Sequence, residues 1–144
     1  MGIRRILHDQ RHWLPAFFAL AACSWMPHWS CHYYRLETGS SFVVGSWSFS
    51  RAESLLSLLV YTGLVGLNLI AVVVAALRVS AAFVSGVGHC ILGMIHVVRI
   101  FRPFEFEVLG YSWSRAASIR EAAVVTSFGM LCFLIGWNLR RREA

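Results

Sequence analysis

Residues 54–77 read SLLSLLVYTGLVGLNLIAVVVAAL and include no charged side chain over 24 positions. A helix rises about 1.5 Å per residue, so a run of this length crosses the roughly 30 Å hydrocarbon layer of a bilayer. This segment therefore predicts a transmembrane helix, and it decides the class of the fold.

Three further apolar runs predict transmembrane helices at residues 79–98, 122–139 and 14–32. The last of these runs contains Pro15 in its first turn, where the missing N–H costs little, and Pro27 near its far end, where it can kink the helix. Because a chain of 144 residues has room for one domain, we predict a single all-α integral membrane domain with four transmembrane helices over residues 1–144.

The composition agrees with a membrane location, because 58% of the residues are hydrophobic and only 14% are charged. The net charge is +6, and all thirteen basic residues are arginine. This charge fits contact with anionic membrane lipid, whereas no basic surface typical of nucleic-acid binding is visible. The four cysteines form no CxxC pair, so no metal site is predicted. Lipidation of Cys23 stays open as an alternative, since residues 20–23 (LAAC) resemble a bacterial lipoprotein cleavage box.

The arginines lie on two sides of this predicted topology. One side has Arg4, Arg5, Arg11, Arg78, Arg140, Arg141 and Arg142, and the other has Arg35, Arg51, Arg99, Arg102, Arg115 and Arg120. The two sides have seven and six arginines, so the positive-inside rule hardly distinguishes them. The orientation is therefore assigned from the arginines before the first helix and at the C-terminal end. We predict both termini in the cytoplasm and a location in the bacterial cytoplasmic membrane.

The two loops on the far side contain β-prone sequence. Residues 32–50 (HYYRLETGSSFVVGSWSFS) have two such runs around a turn, and residues 102–114 (RPFEFEVLGYSWS) alternate apolar and acidic side chains. We predict a small β-structured extracytoplasmic cap over the helices. The alternative is that these aromatic residues lie along the lipid interface, where Trp and Tyr are common.

An internal repeat of 64 residues organises the chain. Over residues 32–62, eleven of thirty-one positions are identical to the residue 64 positions later, where about two are expected by chance. The repeated residues include His32, Arg35, Arg51 and their counterparts His96, Arg99 and Arg115. We predict two tandem duplicated hairpins, repeat 1 at about residues 14–78 and repeat 2 at about 79–142, related by a pseudo-two-fold axis along the membrane normal.

Two histidines in the third predicted span are candidate cofactor ligands. His89 and His96 are seven residues apart and therefore share one helix face, and an ionisable group at membrane depth favours a functional role. The pattern His89-x-x-x-Gly93-x-x-His96 resembles the haem-ligand stretch of the succinate dehydrogenase membrane anchor, which implies haem b as a cofactor. The alternative is a neutral histidine hydrogen-bonded to a neighbouring helix.

The repeated charged residues form the second candidate site. Arg35, Arg51, Arg99 and Arg115, together with His32, fall at the outer ends of the predicted helices. Nearby glutamates can neutralise these residues internally, and this is the interpretation that the sequence favours. The alternative is that the residues bind an anion, either a lipid head group or a carboxylate of a partner protein.

The sequence supports no catalytic constellation, since no Ser-His-Asp order, phosphate-binding loop or membrane-embedded carboxylate is present. We therefore predict a small non-enzymatic membrane protein that is an accessory or assembly subunit, with other membrane subunits or further copies of itself as partners. The alternatives are a redox subunit that binds haem b or quinone through His89 and His96, and a small carrier or channel.

Overall fold

The structure, a computed structural model, describes residues 10–143, with side chains described from residue 13 to residue 142. Within that part of the chain, four long helices enclose an interior, and a small antiparallel sheet lies at one end. The helices are α1 (Gln10–Thr38), α2 (Arg51–Val73), α3 (Arg78–Phe101) and α4 (Arg115–Glu143), and the strands are β1 (Phe42–Val44), β2 (Trp47–Ser48), β3 (Phe106–Val108) and β4 (Tyr111–Ser112).

Three of the helices are long and apolar enough to cross a membrane, namely Arg51–Val73, Ala75–Phe101 and Arg115–Arg142. The predicted span at residues 14–32 lies inside α1, which continues without a break through Pro15 and Pro27. The structure therefore confirms four helices and gives three of them the length and composition of a span, while the membrane crossing of α1 stays a prediction.

In part of the molecule the distribution of side chains is the reverse of that in a water-soluble protein, with polar side chains inside and large apolar side chains outside. The buried polar or charged residues are His32, Ser54, Asn68, Ser85, His89, His96, Arg99 and Ser118. Helix α2 shows the reversal most clearly, because its buried residues are only Ser54, Asn68 and Ala71, while leucine and valine side chains cover its exposed surface.

An apolar core holds the helices together at the end away from the sheet. It contains residues from all four helices: Leu14, Phe17, Phe18, Ala71, Ala81, Ala82, Cys132, Ile135 and Leu139. The ring of Phe17 in α1 stacks on Phe128 in α4, with the centroids 6.1 Å apart. This core joins the first hairpin, α1 with α2, to the second hairpin, α3 with α4.

Helices α3 and α4 approach closely at their glycines. A Cβ added at Gly129 would lie 2.8 Å from Cys90 Sγ and 3.2 Å from Gly86 O. A Cβ at Gly136 would lie 3.2 Å from the Cβ of Ala82. The small residues thus let the two backbones meet, which is how membrane helices pack when no larger side chain separates them.

The sheet has the order β2-β1-β3-β4, so its central pair joins the two hairpins. In that pair Phe42 lies opposite Val108 and Val44 lies opposite Phe106. The predicted β-structure of both loops is confirmed as this sheet. Membrane insertion, and with it the side on which the sheet lies, stays a prediction.

The start of α2 is fixed by a capping box. The Ser50 hydroxyl accepts a hydrogen bond from the Glu53 backbone N–H at 3.2 Å, and the Glu53 carboxylate accepts one from the Ser50 N–H at 2.7 Å. At the start of α4, the Ser114 hydroxyl accepts a hydrogen bond from the Ala117 N–H at 3.1 Å. These caps satisfy backbone donors that a helix leaves unpaired at its first turn, and they set where each returning helix begins.

Candidate functional site

Arg99 holds the second loop against the helices. Its guanidinium donates to Phe104 O at 3.0 Å, to Ser114 O at 3.0 Å, to the Ser118 hydroxyl at 2.6 Å, and also to Trp113 O. The side chain is 9% exposed. A guanidinium has five N–H donors, and here most of them are used by backbone carbonyls, so Arg99 ties the end of α3 to the start of α4.

Arg35 makes the corresponding contacts in the first hairpin. It donates to Phe49 O and, at 3.5 Å, to Ser50 O. Arg115 also bonds within its own hairpin, donating to Ile100 O at 2.7 Å. Three of the four predicted arginines therefore have backbone carbonyls as hydrogen-bond acceptors, where the sequence favoured nearby glutamates.

Arg51 differs from the other three arginines. Among residues 13–142, the arginines that donate side-chain hydrogen bonds to the protein are Arg35, Arg78, Arg99 and Arg115. Arg51 is exposed and lines a groove of about 600 Å³ on the side of the first hairpin. The groove is lined by Tyr33, Leu36, Glu37, Arg51, Ala52, Leu55 and Leu58.

His89 lies in the interior at 2% exposure and uses both ring nitrogens. Its Nδ1 is 2.8 Å from Ser85 O, which assigns the N–H to Nδ1, because a carbonyl can only accept. Its Nε2 lies 3.0 Å from the hydroxyl of Ser24 in α1. His89 thus connects α3 to α1, as expected for the neutral, hydrogen-bonded alternative.

The surroundings of His89 leave little space for a haem. The Trp25 ring lies 3.9 Å from the His89 ring between centroids, and the Phe128 ring lies 4.9 Å away. The His89 tautomer with its proton on Nδ1 would suit a metal ligand, since the unprotonated Nε2 could then bind the metal. A haem at this nitrogen would nevertheless have to displace Ser24 and Trp25, so the packed site does not fit the group.

His96 and His32 occupy corresponding places but have different partners. His96 Nδ1 lies 3.4 Å from the Ser118 hydroxyl, which also accepts the hydrogen bond from Arg99. In the first hairpin the buried atoms His32 Nδ1 and Ser54 Oγ have no hydrogen-bond partner among the described residues. The contact between the histidine and the serine is therefore made in the second hairpin, by His96 and Ser118, and is not made in the first, by His32 and Ser54.

Aromatic rings surround His32. Its ring stacks on Phe42 of β1 at 4.9 Å and on Tyr61 of α2 at 5.7 Å between centroids, and Tyr61 stacks in turn on His28 at 5.6 Å. The structure therefore places His32 in an aromatic layer below the sheet. Within the described part of the chain, no group of three or more His, Cys, Asp or Glu residues has a metal-binding arrangement.

Sequence reasoning missed two features of the interior. Asn68 donates to the Ser85 hydroxyl at 2.8 Å and thereby links α2 to α3, although neither residue belongs to the repeated pattern. The role of Ser118 as a hydrogen-bond partner shared by Arg99 and His96 was also missed. Ser118 lies 64 positions after Ser54, so the same residue stands at both positions of the repeat. That match is the signal in the sequence that could have revealed the role of Ser118.

Comparison with protein-family models, with curated proteins and with solved structures gives no match. The functional interpretation therefore rests on the positions and contacts of the residues in the structure.

Proposed function

We propose that this chain is a small non-enzymatic integral membrane protein that acts as an accessory or assembly subunit of a larger membrane complex. The observation that carries the proposal is the large apolar outer surface of the helices, above all of α2, where two of the three buried residues are polar. Leu56, Leu59 and Val73 of α2 are 62%, 61% and 79% exposed. A continuous apolar surface of this kind is typical of contact with lipid or with another protein.

The proposed architecture is two duplicated hairpins, each crossing the membrane twice. Contacts 64 positions apart support it, because Gly45 N donates to Glu105 O at 2.7 Å while Leu109 N donates to Ser41 O at 2.9 Å. The carbonyl contacts of Arg35 and Arg99 are likewise 64 positions apart. These particular contacts are thus made twice, once in each unit.

A structural role, as opposed to a catalytic one, is supported by how the interior polar groups are used. Arg99 and Arg35 hold the loops, and His89 joins two helices. On the outside of the sheet, Trp47 of β2 and Tyr111 of β4 are 59% and 78% exposed and stand 64 positions apart. Exposed aromatic side chains are enriched at protein interfaces, so these two residues are the proposed contact with a partner subunit.

Purification in mild detergent tests the partner. We expect affinity-tagged protein to retain at least one other membrane protein, or further copies of itself, in a fixed ratio. Trp47→Ala combined with Tyr111→Ala should reduce the retained partner severalfold, since aromatic anchors carry much of an interface's binding energy.

The matched control for this purification is Trp137→Ala. It removes a 50%-exposed aromatic residue from the opposite end of the protein, so it should retain the partner at the wild-type ratio. Wild-type protein that runs alone and monomeric under every gentle condition tried would contradict the accessory role. A visible absorption band from the same preparation would favour the redox alternative.

Cysteine labelling tests the proposed topology. With the native cysteines replaced, Ser40→Cys and Ser112→Cys should react with an impermeant thiol reagent in intact cells, because Ser40 lies just before β1 and Ser112 within β4, on the proposed outer side. Ser80→Cys, near the start of α3, should react only after the membrane is permeabilised. Labelling of only one of the two loops would contradict the duplicated hairpins, and labelling of Ser80→Cys alone would reverse the proposed cytoplasmic location of the termini.

A further inference from the structure

We propose that the groove on the first hairpin binds a phospholipid with a primary-ammonium head group, chemically a phosphatidylethanolamine. In this inference Arg51 binds the lipid phosphate, Glu37 binds its ammonium group, and the apolar wall holds the start of an acyl chain. The inference rests on the membrane location in the proposed function, and it goes beyond the accessory role.

Arg51 and Arg115 stand at corresponding positions but differ in their hydrogen bonds. Arg115 uses its guanidinium on Ile100 O, the carbonyl at the end of α3. Arg51 stands 64 positions earlier, and Leu36 corresponds to Ile100, yet no hydrogen bond joins Arg51 to Leu36. The Arg51 guanidinium is therefore available to an external anion, and guanidinium groups bind phosphate oxygens in a bidentate manner.

An acidic residue, Glu37, lines the same groove as Arg51. Both side chains are exposed. The residue corresponding to Glu37 in the second hairpin is Phe101, so only the first hairpin combines an acid with the arginine. A cation and an anion on one groove match a zwitterionic head group, since each charge of the ligand then meets an opposite charge.

The position and the apolar lining of the groove also suit a lipid. Its wall contains Leu36, Leu55 and Leu58, and it lies where α1 ends and α2 begins, next to the sheet. In the proposed topology this is the level of the lipid head groups. A groove of about 600 Å³ falls within the usual size of a small-molecule site, which allows a head group and the first part of a chain.

These features discriminate between lipid classes. A purely anionic head group has the phosphate for Arg51 but no cation for Glu37, whose charge then stays uncompensated. A choline head group has no N–H, so it cannot donate a hydrogen bond to the carboxylate. The primary ammonium satisfies both residues, and the groove should therefore prefer it.

The test uses the full chain, delipidated in detergent, with added phosphatidylethanolamine, phosphatidylcholine or phosphatidylglycerol. Bound lipid is counted by native mass spectrometry, and thermal stability is followed in parallel. We expect wild-type protein to retain phosphatidylethanolamine in preference to the other two lipids. Arg51→Gln should lower its affinity about fivefold, the effect of one arginine at a membrane surface.

Two further variants test the contribution of Glu37 and the specificity of the effect for Arg51. Glu37→Gln should remove the preference for phosphatidylethanolamine over phosphatidylcholine while phosphate binding remains. Arg115→Gln should keep the wild-type lipid preference, because Arg115 is engaged with Ile100. These two variants keep the proposal testable even if Arg51→Gln fails to fold.

Three results would overturn the inference. They are equal retention of the three lipids by wild-type protein, a preference for phosphatidylglycerol, and a loss of preference in Arg115→Gln as large as that in Arg51→Gln. Each of these results is independent of whether a partner protein co-purifies, so failure of the lipid site and failure of the accessory role are distinguishable.

Discussion

Arg99→Gln is expected to lower the free energy of unfolding in detergent by about 3–5 kcal/mol, because each buried acceptor left without a donor costs about 1–3 kcal/mol. The guanidinium donates to Phe104 O, Trp113 O and Ser114 O, and glutamine is too short to replace it. Three carbonyls beneath the sheet would lose their donor, and the Ser118 hydroxyl would lose its contact as well. Thermal or denaturant unfolding of purified protein in detergent measures the loss.

The control for this variant is Arg102→Gln. Arg102 is exposed at the end of α3, and its backbone N–H, which the substitution keeps, makes the capping bond to Val98 O. We expect a change within about 0.5 kcal/mol, as for most surface substitutions. If Arg99→Gln were as stable as Arg102→Gln, the carbonyl contacts of Arg99 would not hold the loop.

Gly129→Ala should destabilise the protein by about 1–3 kcal/mol, the usual cost of overpacking a close contact. The added methyl group would lie 2.8 Å from Cys90 Sγ, 3.1 Å from Cys90 N and 3.2 Å from Gly86 O. Two of these neighbours are backbone atoms of α3, which move only if the helices separate. Unfolding in detergent again provides the measurement.

Gly63→Ala is the matched control for Gly129→Ala. A Cβ at Gly63, within α2, would have no atom within 4 Å, so the change adds no contact and replaces a poor helix former by a good one. We expect it to be neutral or slightly stabilising. Equal losses in the two variants would show that helix α3 and helix α4 are not closely packed at Gly129.

The sequence predicted the helices and the β-structured loops because both signals are local. A run without charge gives a span, and alternation in residues 104–108 gives a strand. The short pairing of β1 with β3 depends on two loops that lie far apart in the chain. The sequence indicated a cap, but it did not indicate which strands would be neighbours.

The partners of the arginines were harder to predict. Glutamates lie close to Arg35 and Arg99 in the sequence, and pairing with them was the favoured interpretation. The structure shows carbonyls of the returning loop as acceptors instead, since that loop folds back onto the end of its helix. Backbone acceptors leave no mark in the sequence, because every residue has one.

The groove was missed for a related reason. Glu37 and Arg51 are 14 residues apart and belong to different helices, so no periodicity joins them. The repeat could have drawn attention to the site, because Glu37 corresponds to Phe101 while Arg51 corresponds to Arg115. A difference between two otherwise similar units is where a binding function can differ as well.

The register of the central strands has a consequence for the origin of the chain. Phe42 faces Val108 and Val44 faces Phe106, so exchanging the two strands leaves the ladder unchanged. Under the proposed duplication, a single ancestral hairpin already had the strand edge needed to pair with a second copy of itself. Under the same proposal, the two halves of the chain pair as the subunits of a symmetric dimer do, and the short 3₁₀ helix at Ala75–Leu77 joins them.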